Sequence, residues 1–384
     1  MTIMLINFVY ALSVLNGASV QAVRVVLVLY ALRLDAQPLT IGLLSAAYSV
    51  FPMLLAVTAG KLADRFGTRW LLIFGALGSG LGMLVPYFVP GLPAVFIAGA
   101  MSGLSAVFYN ISTQNLVGLL SAPEARARNF SNFALTVSAA NLMGPLIAGF
   151  SMEHFGHVDA CLHLALFTLV PVVLLGIWGN QLPGGTSSGK TASGGVRAML
   201  ADPNTRRVLA TGSLLQAAMN LYQFYMPVYA HSLDLSPSSI GMVLAMFPAA
   251  AFAVRLILPR LIAEFKVDNL LACAFYTGSL SLLLIPFLKS PVMLGILSFI
   301  FGLGMGCSQP IINMLMFSSS RDGRSGEALG LKTTVNQLTK LVSPVIFGAI
   351  ASAFGLPPMF WTNALMMGLG GLISRSRNPI RSEP

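Results

Sequence analysis

The chain repeats itself at a constant offset of 199 residues, as Tyr30 and Tyr229 show. Further pairs at this offset are Leu34 and Leu233, Ile41 and Ile240, Gly103 and Gly302, Pro145 and Pro344, Gly149 and Gly348, and Phe155 and Phe354. No gap is needed to align them, so the pattern indicates two structurally equivalent halves.

The composition indicates that both halves lie in a membrane. The chain is 56% hydrophobic and 9% charged, with a mean hydropathy of +0.80, whereas soluble domains have about 25% charged residues. Apolar runs of roughly 20 residues recur, and each is long enough to cross a bilayer as a helix. The predicted spans are 5–32, 38–60, 70–89, 93–119, 129–152, 160–179, 208–231, 238–260, 269–288, 292–317, 328–353 and 358–374.

These spans divide into two sets of six. We predict an all-α membrane protein with an N-terminal six-helix bundle (1–179), a Gly- and Ser-rich cytoplasmic linker (180–207), and a C-terminal six-helix bundle with a short basic tail (208–384). The repeat predicts that the bundles are related by a pseudo-two-fold axis. Such repeats are typical of alternating access, with the substrate bound where the halves meet.

The basic residues predict the orientation in the membrane. With the N-terminus inside, seventeen of the 22 Lys and Arg residues fall in cytoplasmic segments, and the outer loops hold only Arg33 and Lys289. This bias is the positive-inside rule and predicts cytoplasmic termini, here in a bacterial inner membrane. It also accounts for the net charge of +10 through lipid headgroups, so we predict no nucleic-acid partner.

The loop after the second span reads Gly60-Lys61-Leu62-Ala63-Asp64-Arg65-Phe66-Gly67-Thr68-Arg69. It resembles the signature loop of the major facilitator superfamily (MFS), G-x-L-A-D-R-x-G-x-R, and lies at the position expected in that family. The resemblance implies a 12-span MFS fold. It also implies a conformational gating role for Gly60, Asp64, Arg65, Gly67 and Arg69, through contacts that hold the outward-facing state.

A second sequence element lies in the fifth span, at Gly144-Pro145-Leu146-Ile147-Ala148-Gly149. It is similar to the G-P-x-x-G-G element of superfamily exporters, although Ala148 departs from that pattern. We expect Gly144, Pro145 and the equivalent Pro344 to serve in gating. Close helix packing and a kink are the alternative. The fourth span lacks the arginine that proton-coupled drug exporters of the family place there, which puts that mechanism in doubt.

Three basic residues are predicted within spans, and no acidic residue is. Arg24, Arg255 and Lys340 each cost at least ~2.5 kcal/mol at a helix centre, so each requires a function or a partner. Lys340 extends a polar helical stripe that includes Asn336 and Gln337, and a stripe of this kind is expected to line a cavity. Arg24 and Arg255 have snorkelling as an alternative.

Amide and phenol side chains complete the predicted substrate site. Asn110 and Gln114 in the fourth span correspond to Gln309 and Asn313 in the tenth, which suggests a cavity across the pseudo-two-fold axis. Hydrogen bonds between helices are the alternative reading. The full predicted set is Gln21, Arg24, Asn110, Gln114, Tyr222, Gln223, Arg255, Gln309, Asn313, Asn336, Gln337 and Lys340.

Fixed cations, amides and phenols without an acid favour an anionic substrate. We therefore predict a secondary transporter for a small organic anion or amphiphilic metabolite, working by exchange or with a coupling proton. An efflux pump for hydrophobic drugs is the runner-up. A membrane enzyme, a copper carrier using Met242 and Met246, and a sensor are weaker alternatives. No ATP-binding motif occurs; we expect no cofactor or metal, and a monomer suffices.

Overall fold

The computed structural model describes residues 2–122, 125–182, 202–318 and 325–375. These residues form long helices and, within those ranges, no strand, so the predicted all-α class is confirmed. Residues 183–201, most of the predicted linker, lie outside the described part, and the boundaries of the two halves stay a prediction.

The helices follow one another through short connections. Arg126–Trp178 is one helical segment interrupted at Gly156, whose φ of 84° and ψ of 173° are non-helical; we call its parts α5 (126–155) and α6 (157–178). The other helices are α1 (Thr2–Arg33), α2 (Pro38–Phe66), α3 (Thr68–Phe88), α4 (Leu92–Leu119), α7 (Pro203–His231), α8 (Pro237–Glu264), α9 (Val267–Leu284), α10 (Pro291–Ser318), α11 (Ser325–Phe354) and α12 (Leu356–Arg375).

Nine stretches of the described residues are long and apolar enough to cross a membrane, and one of them (Arg128–Gln181) contains both α5 and α6. Helices α7 and α12 are not among the nine. The amides Gln216, Asn220 and Gln223 lower the hydropathy of α7, a helix whose residues are mostly buried within the protein. A helix surrounded by protein tolerates such polarity. The count of twelve spans therefore stays a prediction.

The backbone follows the 199-residue repeat in detail. Asp35 and Asp234 both have a φ of 57° at the connections after α1 and α7, and Gly156 and Gly355 have φ values of 84° and 88° after α5 and α11. Left-handed backbone is uncommon outside glycine, so its recurrence at matching positions identifies two copies of one fold. In this repeat α1 is equivalent to α7, α2 to α8 and α5 to α11.

The two halves touch mainly where α5 crosses α8 and α2 crosses α11. At the first crossing, a Cβ on Gly149 would lie 2.5 Å from the Pro237 carbonyl oxygen and 3.1 Å from the Gly241 Cα. At the second, a Cβ on Gly348 would lie 2.8 Å from the Pro38 carbonyl oxygen. Glycine is therefore required at both crossings, which lie near the α1–α2 and α7–α8 connections. We call this the closed end (residues 34–37 and 232–236, with the helix ends around them).

Two equivalent hydrogen bonds join the halves at the closed end. The Leu39 N–H donates to Ser352 Oγ over 3.0 Å, and the Ser238 N–H donates to Glu153 Oε2 over 2.9 Å. Leu39 and Ser238 are equivalent in the repeat, as are Ser352 and Glu153. Each bond satisfies an N–H in the first turn of a helix, which has no partner within its own helix. Only one of the two acceptors is a carboxylate.

Candidate functional site

A cavity lies between the halves, beneath the closed end. Both halves contribute to its lining, which consists of Gln21, Arg24, Val25, Ser138, Asn141 and Pro145 from the first half and Met219, Tyr222, Gln223, Leu244, Phe247, Pro248, Ala251, Arg255, Met305 and Gly306 from the second. The lining residues come from α1, α5, α7, α8 and α10. Two of them are arginines, and none is acidic.

Arg24 of α1 meets Gln223 of α7 in the lining of this cavity. Arg24 Nη1 donates to Gln223 Oε1 over 2.5 Å, and the two residues are 199 positions apart. The guanidinium also lies over the ring of Tyr48, 5.2 Å from its centroid, and 5.5 Å from that of Phe224. These contacts hold the cation in place by hydrogen bonding and cation–π attraction.

Arg255 of α8 supplies the second cation and connects the halves. Its Nη1 donates to Ser138 Oγ of α5 over 2.7 Å, and its Nε donates to the Gly306 carbonyl oxygen of α10 over 3.2 Å. Both partners are uncharged, so the positive charge of the guanidinium is not neutralised by them. The arrangement positions Arg255 at the cavity wall, as opposed to the lipid-facing surface that snorkelling requires.

The amides of the first half pair with each other. Gln21 Nε2 donates to Asn141 Oδ1, which joins α1 to α5. In the second half the equivalent positions are Asn220 and Lys340, and they do not form this pair. Asn220 instead accepts from Gln216 Nε2 at 3.1 Å and donates to Ser343 Oγ at 3.2 Å. The repeat is therefore broken at the position of Lys340.

Apolar and aromatic side chains form the rest of the wall. The rings of Tyr222 and Phe247 lie 5.2 Å apart, and Phe301 packs against both behind them. The Tyr222 hydroxyl donates to the Val243 carbonyl oxygen over 3.2 Å, so Tyr222 presents its ring to the cavity while its hydroxyl is engaged. Met219 and Met305 add flexible, polarisable side chains that suit an apolar ligand body.

Several residues of the predicted substrate set do not line this cavity. They are Asn110, Gln114, Gln309, Asn313, Asn336, Gln337 and Lys340. Asn110 donates back to the Ala106 carbonyl oxygen of its own helix at 2.8 Å. The equivalent amides of α4 and α10 thus have different partners, because those of α10 accept hydrogen bonds from a buried lysine of α11.

That lysine is Lys332, and the prediction of three intramembrane cations omits it. Lys332 is buried in α11, with 7% of its surface exposed. Its Nζ donates to Gln309 Oε1 at 3.3 Å and also to Asn313 Oδ1. Lys332 is the fifth residue of the predicted eleventh span (328–353), and the count of seventeen cytoplasmic basic residues includes it. The i, i+4 spacing of Gln309 and Asn313 was the available signal for a buried donor.

The signature loop is described in part. Gly67 has a positive φ of 79° between α2 and α3, and Arg69 donates to Asn180 Oδ1 and, at 3.3 Å, to the Gly176 carbonyl oxygen. These contacts tie the loop to the end of α6 in the same half. The surroundings of Gly60 and the side chains of Asp64 and Arg65 are not among what the structure describes, so the gating role of these residues stays a prediction.

The Gly-Pro element of the fifth span packs against the first helix. A Cβ on Gly144 would lie 2.9 Å from the Ala18 carbonyl oxygen of α1, and Pro145 lines the cavity. Close packing, the alternative reading of this element, is therefore what its glycine provides in this conformation. A gating role for Gly144, Pro145 and Pro344 stays a prediction.

No group of three or more His, Cys, Asp and Glu side chains that could hold a metal occurs in the part of the chain that the structure describes. The candidate chemistry of the cavity is that of its arginines, amides and aromatic rings. Such a set binds a ligand through charge-assisted hydrogen bonds and apolar contact.

A family model described as Major Facilitator Superfamily matches residues 9–341. This chain belongs to the Major Facilitator Superfamily. The resemblance of the signature loop is thereby confirmed, and the protein is an integral membrane transporter of that family.

Individual relatives in the superfamily are distant. The chain is 24% identical to the multidrug resistance protein MdtG of Escherichia fergusonii over 96% of its own length and 93% of the relative. It is 25% identical to MdtG of Klebsiella pneumoniae, over 84% of the chain and 80% of the relative.

Solved structures of MFS transporters share the fold. A point mutant of the nucleoside transporter NupG matches with a TM-score of 0.82 at 12% identity, covering 97% of this chain and 99% of that one. The peptide transporter POT in complex with sulfate matches with a TM-score of 0.80 at 16% identity, covering 97% and 93%. At these identities the likeness concerns the fold alone.

Sequence reasoning missed several lining residues, among them Ser138, Asn141, Met219 and Met305. The repeat held a signal for two of them. Asn141 is equivalent to Lys340 and Ser138 to Gln337, so reading the polar stripe of α11 back onto α5 would have named both. The methionines carry no such signal, because 19 methionines are spread through the chain.

Proposed function

We propose that this MFS protein exports amphiphilic organic anions by alternating access, with the substrate held in the cavity between the halves. The observation that carries the proposal is the pair of arginines, Arg24 and Arg255, in a cavity whose lining contains no acid. A guanidinium binds a carboxylate or sulfonate through paired, charge-assisted hydrogen bonds. The rings of Tyr222 and Phe247 then suit an apolar substrate body.

The electrostatics of the cavity support an anion over a cation. Both arginines are hydrogen-bonded only to neutral groups among the described residues, namely Gln223, Ser138 and the Gly306 carbonyl. In a medium of low dielectric a charge that lacks a counter-ion is strongly unfavourable, and a bound anion offsets that cost. A cationic substrate would instead be repelled by two fixed charges.

The closed end supports a direction of transport. With both termini in the cytoplasm, as the distribution of basic residues predicts, the closed end faces outward and the cavity is blocked from that side. This is the state expected of a carrier that takes up its substrate from the cytoplasm. The relatives named multidrug resistance proteins support export, because resistance is achieved when a compound leaves the cell.

Export of uncharged hydrophobic drugs is the second candidate. The name of the relatives favours it, and so do the apolar lining residues Met219, Leu244, Phe247 and Met305. Under this alternative Arg24 and Arg255 only join helices. The two candidate functions differ in the charge of the preferred ligand, so ligands of similar shape and different charge distinguish them.

Coupling is proposed to be exchange or proton-linked transport. Exchange requires only that the loaded carrier reorients more readily than the free one, and the two unneutralised arginines supply a reason for this. A coupling proton would enter with the substrate or on a basic side chain, since none of the lining residues is a carboxylic acid.

Matched ligands of one shape test the proposal. The protein, purified in detergent, is titrated with naphthalene-1-sulfonate, with neutral naphthalene-1-sulfonamide and with cationic 1-naphthylmethylammonium, and its melting temperature is recorded. A ligand that binds the folded state raises this temperature. We expect a rise with the sulfonate that is lost in Arg24→Gln and in Arg255→Gln. A rise with the sulfonamide alone, unchanged in both variants, would favour the drug-export alternative.

A further inference from the structure

The two equivalent hydrogen bonds between the halves at the closed end differ in their acceptor. Glu153, near the end of α5, accepts from the Ser238 N–H of α8 over 2.9 Å. In the equivalent contact Ser352 of α11 accepts from the Leu39 N–H of α2 over 3.0 Å. A glutamate carboxyl has an ordinary pKa of about 4.3, whereas a serine hydroxyl does not titrate at neutral or acidic pH. The two contacts therefore respond differently to acid.

The first turn of α8 uses Glu153 as the acceptor for one of its N–H groups. Pro237, the first residue of α8, has no N–H, and the Ser239 N–H donates to Ser236 Oγ in the same segment. The Ser238 N–H lies between them and donates across the interface. An ionised carboxylate at this position is stabilised by the helix dipole and by a charge-assisted hydrogen bond. Protonation of the carboxyl weakens both contributions.

The packing around this hydrogen bond ties it to the closed conformation. Gly149 lies four positions before Glu153 on α5, and a Cβ there would lie 2.5 Å from the Pro237 carbonyl oxygen and 3.1 Å from the Ser238 Cα. The backbones of α5 and α8 thus touch one helical turn away from the hydrogen bond. Because the bond needs this close approach, the negative charge of Glu153 stabilises the closed state relative to an open one.

The same contact gives the direction of the pH response. Glu153 lies in the connection between the predicted spans 129–152 and 160–179. Hydrogen bonds from the side chain and then the backbone of Ser238 lower the pKa of its carboxyl, and the charge of His154 lowers it further. A carboxyl with a lowered pKa in the closed state stabilises that state fully above its ordinary pKa. This contribution is lost as the pH falls through the lowered value.

Other ionisable residues lie at this end of the protein. They are His154 on α5, His157, Asp159 and His163 on α6, Arg33 and Asp35 at the end of α1 and after it, His231 and Asp234 at the end of α7 and after it, and Lys289 before α10. Residues 237–254 of α8 and residues 85–96, which connect α3 to α4, contain no Asp, Glu, His, Lys or Arg. A pH response of the closed end is therefore assigned to Glu153 by variants at position 153 itself.

We propose that Glu153 makes the closed end sensitive to acid, because protonation of its carboxyl weakens the contact with α8 and favours opening of that end. The response is confined to one of the two equivalent contacts, since Ser352 provides a hydroxyl in the other. With the closed end outward, as the basic residues predict, acid outside the cell favours the outward-open state. This regulation goes beyond the proposed function and involves no residue of the substrate cavity.

The experiment measures the opening of this end in the full-length protein, in lipid nanodiscs and without any ligand. Spin labels are attached to Gln37→Cys and Ser232→Cys, two exposed positions of the closed end, one in each half, and Cys273, an exposed native cysteine, is replaced by serine. Pulsed electron paramagnetic resonance gives the distances between about pH 7.5 and about pH 3.5, which spans the ordinary pKa values of His and Glu.

Three variants of this labelled parent protein separate Glu153 from its surroundings. Glu153→Gln keeps an acceptor of similar size and removes the titratable charge. Ser352→Glu introduces a carboxyl into the equivalent contact. Asp159→Asn is the matched control, because it removes an exposed acid six positions along the chain from Glu153. Since no substrate is present, the result does not depend on the proposed function.

We expect acid to raise the long-distance population of the parent and of Asp159→Asn by about 2- to 10-fold, with a midpoint below about pH 4.3. Glu153→Gln should have the raised population already at neutral pH and change little with acid. Ser352→Glu should respond more strongly than the parent, because both contacts then titrate. An equal acid response in Glu153→Gln, or equal populations of Glu153→Gln and the parent at neutral pH, would overturn the proposal. So would a parent that does not respond to acid.

Discussion

Arg24 and Gln223 occupy the same position in the two halves and are hydrogen-bonded to each other, with 2.5 Å between Nη1 and Oε1. Residues related by a two-fold axis can meet in this way only close to the axis itself. The contact therefore marks the centre of the molecule, where a single ligand can touch both halves during the whole transport cycle. It also shows that one half contributes a cation where the other contributes an amide.

Exchanging these two side chains tests the assignment. Arg24→Gln is expected to weaken binding of naphthalene-1-sulfonate at least ~10-fold, because a charge-assisted hydrogen bond is lost. The double variant Arg24→Gln/Gln223→Arg returns the cation to the axis from the other side and should restore most of the affinity, as measured by calorimetry. Equal weakening in the single and double variants would mean that Arg24 acts through Tyr48 and Phe224 and not through the ligand.

The close crossing of α5 and α8 at Gly149 predicts that a larger residue there changes the conformation of the protein. Gly149→Val is expected to prevent closure of the closed end, since its Cβ would lie 2.5 Å from the Pro237 carbonyl oxygen. Distances between spin labels at the ends of α5 and α8 should then shift to longer values. Gly176→Val is the matched control, because a Cβ there meets nothing within 4 Å. Identical distance distributions in both variants would contradict the role of this crossing.

The two equivalent hydrogen bonds at the closed end are expected to act additively. Glu153→Ala removes one acceptor and Ser352→Ala the other, and each hydrogen bond stabilises the closed end only modestly because its atoms are close to solvent. Each variant should therefore increase the fraction open at this end by roughly 2- to 10-fold. A cysteine is introduced in the cavity, and its rate of labelling by a membrane-impermeant reagent measures that fraction. Labelling rates equal to wild type in the double variant would contradict the prediction.

Two substitutions at Tyr222 distinguish the contribution of its ring to ligand binding from that of its hydroxyl. Its hydroxyl is bonded to the Val243 carbonyl oxygen, so Tyr222→Phe should change the affinity for naphthalene-1-sulfonate by less than about twofold. Tyr222→Ala removes the aromatic wall and should weaken binding about 10-fold or more. A large loss in Tyr222→Phe would place the hydroxyl on the ligand and contradict the geometry described above.

The sequence predicted the architecture because the repeat constrains the backbone. Matching residues such as Asp35 and Asp234, or Gly149 and Gly348, mark connections and crossings whose geometry recurs in both halves. The signature loop indicated the family to which the chain belongs. These features depend on local backbone conformation and on close packing, which single residues report directly.

The cavity was predicted less completely, because the lining depends on which face of each helix turns inward. Gln21, Arg24, Tyr222, Gln223 and Arg255 of the predicted set line it, and their contact with a substrate stays a prediction. The amides of α10 instead serve Lys332, a contact between helices that spacing alone does not distinguish from a cavity face. Asn141 was missed because one amide in an apolar helix resembles packing until its repeat partner, Lys340, is considered.

Transport itself tests the central claim most directly. Proteoliposomes are loaded with unlabelled naphthalene-1-sulfonate, and the entry of labelled naphthalene-1-sulfonate is measured against protein-free vesicles. The sulfonate is permanently ionised and does not leak through the bilayer as a neutral acid. We predict rapid counterflow in wild type, loss of at least ~90% of it in Arg24→Gln/Arg255→Gln, and no counterflow when the internal ligand is the sulfonamide. Counterflow of the sulfonate that is undiminished in the double arginine variant would contradict an anion carrier built around these two residues.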